Sequence, residues 1–257
     1  MMKLFVTERR ETIMNLLKKY KRMTVKELAS QIDVSEATLR TDLNEMESNG
    51  LLIRTHGGAI LKDEDHSTKF SVRAQKNRKE KIKIAKEAFK YIVEKQCILL
   101  DASSTALELA RLLKKQEFPL TVVTSGVLTA MELNENPNLT VIVIGGVLTK
   151  QSTSIEGTLG LDILNHINID TMFTSGNGFS IESGLTDFNF YEVELKKQLV
   201  EKANKLISLV DSSKINVNSS SEFASIDQID KLITDKPVSE TFTRKLNEKN
   251  IELIIAK

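Results

Sequence analysis

Five short clusters of small polar residues and glycine follow apolar runs along the chain: Asp101-Ala102-Ser103-Ser104-Thr105, Thr124-Ser125-Gly126, Gly145-Gly146, Gly176-Asn177-Gly178 and Asp211-Ser212-Ser213-Lys214. Residues of these types at the carboxyl ends of strands can hold a phosphate. The hydroxyls of Ser103, Ser104, Thr105, Thr124 and Ser125 supply bonds, backbone N–H groups at a helix start favour an anion, and Lys214 offers a cation. Gly145, Gly146 and Gly178 allow a backbone to come close to a ligand. Asp101 is placed to accept bonds from sugar hydroxyls. Any one cluster reads more readily as a turn or an N-cap, but recurrence after five successive runs favours a ligand site. Thr234-Asp235 is either a sixth such end or a simple turn.

Sugar-phosphate isomerisation is a second chemistry open to this pattern, with Asp101 as base and Lys214 as cation. It needs a carboxylate that moves a proton between neighbouring carbons. The chain offers one such carboxylate and no clear second acid, so binding ranks above turnover. Glu182, Phe188, Phe190 and Tyr191 fall where they could select the ligand, or belong to core or interface.

A different chemistry sits near the N-terminus. Ser35 reads as the N-cap of a short helix running to about Asn49-Gly50, with Glu36 at the positive end of its dipole. Ala37, Leu39, Leu43 and Met46 are its expected buried positions. Glu36, Thr38, Arg40 and Thr41 are left to meet another molecule, and Thr38 and Arg40 could touch DNA base edges. Before it, Ile13, Leu16, Leu17 and Tyr20 mark an amphipathic helix with a basic end at Lys18, Lys19, Lys21 and Arg22. Thr24 and Glu27 form a capping box for a second helix carrying Leu28 and Ile32. Leu51 to Ile60 reads as two strands around Gly57-Gly58, a wing carrying Arg54 and His56. Lys19, Arg22 and Arg54 would hold phosphates. Three-helix units with wings also serve protein contacts, and the full pattern favours DNA.

These elements imply a winged helix-turn-helix domain over 1–61, a linker over 62–78 and an α/β domain over 79–257. Runs at 97–101, 120–124, 139–144, 171–173 and 205–211 have the continuous apolar character of strands buried on both faces. Helical segments near 79–94, 105–115, 127–134, 158–167 and 192–203 alternate with them, so a parallel sheet flanked by helices is expected. Lys69, Arg73, Lys76, Arg78, Lys79, Lys81 and Lys83 read as a solvated face, with a phosphate-contacting face as the lesser alternative.

Composition sets broad limits. The chain has 257 residues, 40% hydrophobic and 28% charged, with a net charge of +1. Residues 1–62 carry 11 Lys+Arg against 8 Asp+Glu, a mild excess that weakly supports nucleic-acid binding. Cys97 is the sole cysteine, which rules out an intrachain disulfide and a multi-cysteine zinc site. Charged residues come too early for a signal peptide, and no apolar run approaches the ~20 residues that span a bilayer. A cytoplasmic protein without membrane, metal or cofactor is expected.

With these residues placed, the chain resembles the DeoR family of bacterial transcriptional regulators over nearly its whole length. The resemblance is carried by Glu8-Arg9-Arg10 with Ile13, Val25 to Ala29, Val34 to Leu43, and Arg54-Thr55-His56-Gly57-Gly58-Ala59. Thr41 stands where the family usually has a second arginine. In the second domain, Asp101 to Thr105, Thr124 to Gly126, Gly145-Gly146, Gly178, Gly184-Leu185-Thr186 and Asp211 to Lys214 are similar to the family's strand-end motifs. Ser103 replaces a common glycine, and Ser125-Gly126 a common Asn-Ser. The resemblance implies a Rossmann-like α/β sensor domain related to sugar-phosphate isomerases and CoA transferases. It further implies double-stranded operator DNA and a phosphorylated sugar as partners, a homo-oligomer, and a regulator, most often a repressor, of carbohydrate-utilisation genes.

Overall fold

The computed structural model describes residues 6–20, 22–48, 52–55, 57–61, 70–149 and 152–257. The chain divides into two compact units between Val72 and Arg73.

In the first unit, α1 (Val6–Tyr20) buries Ile13 and Leu17. A short strand that periodicity does not reveal, β1 (Arg22–Thr24), leads into α2 (Val25–Ile32). The capping box is present: the Glu27 amide donates to Thr24 Oγ1 at 3.2 Å, and the Thr24 amide donates to Glu27 Oε2 at 2.7 Å. Asp33, at φ 58°, ends α2 in the left-handed region. Helix α3 (Glu36–Ser48) follows, with the Thr38 amide donating to Ser35 Oγ at 3.1 Å, as an N-cap requires.

Strands β2 (Leu52–Thr55) and β3 (Gly58–Leu61) form the wing, and β1 completes an antiparallel sheet in the order β1-β3-β2. Gly58 is obligatory there, because a Cβ would lie 2.1 Å from the Met23 carbonyl oxygen. Leu39, Leu43 and Met46 close the core against Ile13, Leu17, Leu28 and Leu52. Ala37 is exposed, contrary to expectation, because the buried stripe runs 39, 42, 43, 46 and leaves 37, 40, 41 and 44 on the opposite side.

Helix α4 (Phe70–Gln75) lies inside the segment expected as linker and spans the division between the units; residues 62–69 of that segment lie outside the described residues. The second unit continues with α5 (Arg78–Phe89), β4 (Cys97–Leu100), α6 (Ser104–Leu113), β5 (Leu120–Thr124), α7 (Val127–Leu133) and β6 (Leu139–Val143). A hairpin of β7 (Val147–Leu148) and β8 (Ile155–Glu156) is next. Then come β9 (Thr171–Thr174), β10 (Gly178–Ser180), β11 (Gly184–Asp187), α8 (Phe190–Lys202), β12 (Leu206–Leu209) and β13 (Ser221–Ala224). The chain finishes with β14 (Lys231–Thr234), α9 (Glu240–Glu248) and β15 (Glu252–Ile255). The helix expected over 158–167 is a 3-10 turn over Leu161–His166.

Seven strands form one parallel sheet in the order β15-β14-β12-β9-β4-β5-β6. Period-two alternation sends Ile98, Leu100, Val122 and Phe173 to one face and Leu99, Val123 and Met172 to the other. Because β4, β5 and β6 run outward one way and β9, β12, β14 and β15 the other, strand order reverses between β4 and β9. In open α/β sheets that reversal opens a crevice beyond the carboxyl ends, where ligands bind. A second sheet, antiparallel β10-β11-β13, was not expected; its strands are too short to alternate visibly.

Candidate functional sites

The exposed side of α3 is continuous. Ser35, Glu36, Ala37, Thr38, Arg40, Thr41 and Asn44 are all exposed. Several hold one another in place. Ser35 Oγ and Thr38 Oγ1 lie 2.8 Å apart, Arg40 pairs with Glu36 at 3.1 Å, and Thr41 donates to the Ala37 carbonyl at 3.2 Å. Arg54 joins the wing to this helix, its guanidinium donating to Asn44 Oδ1 and its amide to Glu47 Oε1 at 2.7 Å. Arg22 is exposed. Lys19 lies on α1 with its side chain undescribed, and His56 lies outside the described residues.

Sequence reasoning missed what fixes α3. Asp42 is buried and receives the Arg9 guanidinium at 2.5 and 3.1 Å and Arg10 at 3.5 Å, while Arg10 also reaches Glu45 at 2.5 Å. Hydrogen bonding to Asp42 raises the Arg9 pKa against the opposing effect of burial. Two arginines of α1 therefore clamp the buried edge of α3 and set its rotation.

In the second unit the crevice between β4 and β9 is ionic. Asp101 is fully buried and already engaged. Its Oδ1 accepts the Ser103 amide at 3.0 Å; its Oδ2 accepts the Thr174 hydroxyl at 2.6 Å and the Ser175 amide at 3.2 Å, with the Lys196 ammonium at 3.3 Å. Both carboxylate oxygens are thus turned to the protein, which corrects the expectation that Asp101 waits for sugar hydroxyls. Lys196 also meets Asp187 at 3.0 Å and the Ser175 carbonyl at 2.9 Å, and lies 4.7 Å from the centre of the Phe223 ring. Burial alone would lower the Lys196 pKa, but Asp187 and Asp101 raise it. Burial likewise would raise the Asp187 carboxyl, and Lys196 holds it below the usual value. Burial pushes Glu192, on α8, upward.

Ser175 connects this cluster to Lys214, whose ammonium donates to the Gly176 carbonyl at 2.7 Å and lies 3.4 Å from Ser175 Oγ and 4.0 Å from Asp211. Burial lowers the Lys214 pKa, with Asp211 opposing it and Arg73 and Lys196 adding to it. Lys81, read from sequence as part of a solvated face, is only 3% exposed. Its ammonium donates to the Arg73 carbonyl, and to that of Lys76 at 2.7 Å, neutralising the last turn of α4. Burial, and then the charge of Lys214, push its pKa down to about 8.

The remaining expected residues divide. Ser104 Oγ lies 3.5 Å from the Arg73 carbonyl, and Thr105 is fully buried with its hydroxyl unpartnered among the described residues. Both open α6, close to the cations. Ser103 Oγ accepts the Ala106 amide at 3.1 Å and is spent as the N-cap. Thr124 Oγ1 accepts the Gly126 amide at 3.0 Å, and the Ser125 carbonyl accepts the Ile155 amide at 2.8 Å, so the β7–β8 hairpin covers that strand end. The glycines serve packing: a Cβ on Gly146 would lie 2.7 Å from the Glu156 carbonyl oxygen, and one on Gly178 2.2 Å from that of Val217, while Gly145 forms the surface on which Gly160 sits. Phe188, Phe190 and Tyr191 are exposed, and Glu182 pairs with Lys245 at 3.2 Å.

A winged helix-turn-helix unit with a clamped, polar-faced helix, followed by a doubly wound α/β unit with cations at its switch point, defines a DNA-binding regulator with a sensor domain. Residues 76–236 match the family model described as the DeoR C-terminal sensor domain, and residues 9–65 that of the DeoR-like helix-turn-helix domain. The chain belongs to the DeoR family of transcriptional regulators. It is 43% identical over 255 residues to the HTH-type transcriptional regulator GolR of Listeria innocua, covering 99% of this chain and 100% of that one. It is 28% identical to the glycerol-3-phosphate regulon repressor of Escherichia coli K12, over 96% of this chain and 98% of the other. Among solved structures, a D-ribose-5-phosphate isomerase in complex with phospho-erythronic acid shares 19% identity over 54% of each chain at a TM-score of 0.42, a likeness of fold alone. The isomerase reading therefore gives way to regulation. Among the described residues no helix is long and apolar enough to cross a membrane.

Proposed function

We propose that this protein is a cytoplasmic, homo-oligomeric repressor of carbohydrate-utilisation genes whose grip on double-stranded operator DNA is set by a phosphorylated sugar. Thr38, Arg40 and Thr41 on α3 meet base edges, with Ser35 and Glu36 at the helix start. Arg22, Arg54, Lys19 and His56 serve the backbone and the adjacent groove. Repression is the direction printed for the E. coli relative, whose name also carries a phosphorylated polyol.

One observation carries the effector half of this reading. Lys81 is depressed by burial and by the charge of Lys214, and Lys214 is itself depressed by burial and by Arg73 and Lys196, beside the opening of α6 with its unpartnered Thr105 hydroxyl. A dianionic phosphate relieves that repulsion and satisfies Ser104, Thr105 and the free N–H groups of α6. Lys214 contacts the phosphate. Asp101 acts as a positioning residue: it holds Lys196, Ser175 and the start of α6 in register.

The DNA half is tested on the operator upstream of the protein's own gene. Arg40→Ala should lose roughly 1 to 3 kcal/mol of binding and relax preference at one position. Unchanged affinity and unchanged preference would remove Arg40 from the base-reading role.

A further inference from the structure

Four carboxyl groups lie around Lys196 and Lys214: Asp101, Asp187, Glu192 and Asp211. Three are occupied by the protein itself. Asp101 spends both oxygens on Ser103, Thr174, Ser175 and Lys196. Asp187 Oδ1 accepts the Asn177 side-chain amide at 2.7 Å and the Phe188 amide at 2.9 Å, and its Oδ2 meets Lys196. Asp211 Oδ1 accepts from Asn77 and Ser213, and its Oδ2 faces Lys214. Glu192 differs from all three. It is only 9% exposed, yet its carboxyl has neither a hydrogen-bond nor an ion-pair partner among the described residues.

Its place on α8 fixes the side to which it turns. Val193, Leu195, Leu199 and Val200 of that helix enter the hydrophobic core, which leaves Glu192 and Lys196, one turn apart, as the other buried residues of α8. The Lys196 ammonium is held in the crevice by Asp101, Asp187 and the Ser175 carbonyl. Glu192 therefore lies on the crevice side, one turn nearer the helix start, and the charges acting on its carboxyl are those of Lys196, Arg73, Asp187 and Asp101. A buried polar group without a hydrogen bond is penalised, and burial already moves Glu192 toward its neutral form. An apolar side chain of that length would meet the packing need without this cost. The free oxygens of a carboxylate are acceptors, and the groups that suit them are hydroxyls.

We propose that Glu192 receives the hydroxyl groups of the bound ester and is the residue that separates a polyhydroxylated phosphate ester from phosphate alone. This rests on the phosphate reading above and adds a direction to it. Like charge keeps the phosphate away from Glu192, on the side of Lys214 and the opening of α6, so the carbon chain of the ester runs toward α8. The role expected of Asp101 thus falls to Glu192.

The test is calorimetric titration of the full chain with inorganic phosphate, 1-propyl phosphate, glycerol 3-phosphate, ribose 5-phosphate and fructose 6-phosphate. Wild type is compared with Glu192→Met, Glu192→Gln and Lys214→Met. At least one of the hydroxylated esters should bind wild type ~30-fold more tightly than propyl phosphate, the worth of one hydrogen bond to a charged group. Glu192→Met should cut that ratio to ~3-fold or less, while inorganic phosphate binds at least as tightly as before because an anion has been removed. Glu192→Gln, which keeps one acceptor oxygen, should fall between, and Lys214→Met should weaken every probe alike. A wild type that binds none of the probes, or a Lys214→Met chain that binds them all as wild type does, overturns the phosphate reading and this inference with it. Hydroxylated esters that bind wild type no more tightly than propyl phosphate overturn the role of Glu192 alone. So does an undiminished ratio in Glu192→Met, or a loss common to every probe in that variant. Should Glu192→Met fail to fold by circular dichroism, the ratio in Glu192→Gln decides: diminished, it supports the role; undiminished, it overturns it.

Discussion

Asn77 donates its side-chain amide to Asp211 at 2.9 Å and to Ser213 Oγ at 3.0 Å, tying the N-cap of α5, two residues beyond α4, to the turn that carries Lys214. Asn77 sits at φ 53°, a left-handed conformation that asparagine tolerates better than most residues. Lys81 adds two bonds to the end of the same helix. Helix α4 spans the division between the two units, so the Asn77 bonds tie the Lys214 turn to the residues that follow that helix. Asn77→Ala should cost about 1 to 2 kcal/mol of sensor stability. It should also preserve the thermal shift on phosphate-ester binding while blunting the change in operator affinity several-fold. A full operator response in the variant contradicts this link.

Lys196 lies within salt-bridge distance of both Asp101, at 3.3 Å, and Asp187, at 3.0 Å. Lys196→Met removes the cation that bridges two buried carboxylates, and the expected loss is about 3 to 5 kcal/mol in denaturant unfolding. Adding Asp187→Asn should recover part of that loss. A single-variant loss below about 1 kcal/mol would mean that the cluster is more hydrated than its burial implies.

Lys81 titrates near 8 when folded and near 10.5 when unfolded. Below pH 8 both states are protonated, and the folded chain bears the whole penalty of a buried charge. Between 8 and 10.5 the unfolded chain keeps a proton that the folded chain has released, so stability rises with pH across that window and then levels. Lys214, also depressed, acts in the same direction. Anion affinity runs oppositely, falling as pH passes 8 because the cation is lost. Unfolding measured from pH 7 to 10 should show a shallower rise in Lys81→Met than in the wild type; identical slopes would refute the assignment.

Asp42 joins α1 to α3 through Arg9 and Arg10. Asp42→Ala removes the buried carboxylate that Arg9 and Arg10 share and should destabilise the N-terminal unit by about 2 to 3 kcal/mol. Operator affinity should fall although the residue faces away from the DNA-contact side. An operator affinity and a melting curve both equal to wild type would contradict the clamp.

Local chemistry made much of this legible. Thr24 with Glu27, and Ser35 before a periodic run, announce helix starts because the cap depends on residues only three apart. The parallel strands are visible because burial on both faces needs unbroken apolar runs. What was hidden depends on distant partners. Asp42 reads as a surface acid until Arg9, 33 residues earlier, is placed beside it. Asp101 reads as a free ligand group until Lys196 and Thr174 occupy it. Lys81 belongs to a basic run and only the fold of α4 over it takes it out of water. Gly145, Gly146 and Gly178 read as places where a ligand could approach the backbone, whereas the groups that approach them in the fold are the protein's own Gly160, Glu156 and Val217.

The central claim is that a phosphate ester held at Lys214 changes operator binding. Fluorescence anisotropy on the operator upstream of the protein's own gene, repeated with a panel of phosphorylated sugars, tests it directly when wild type and Lys214→Met are run together. At least one phosphorylated sugar should shift wild-type operator affinity by about ten-fold, a coupling near 1.4 kcal/mol, while its unphosphorylated parent does nothing and Lys214→Met shows little response. No shift from any phosphorylated sugar in the wild type, or an undiminished shift in Lys214→Met, would contradict it.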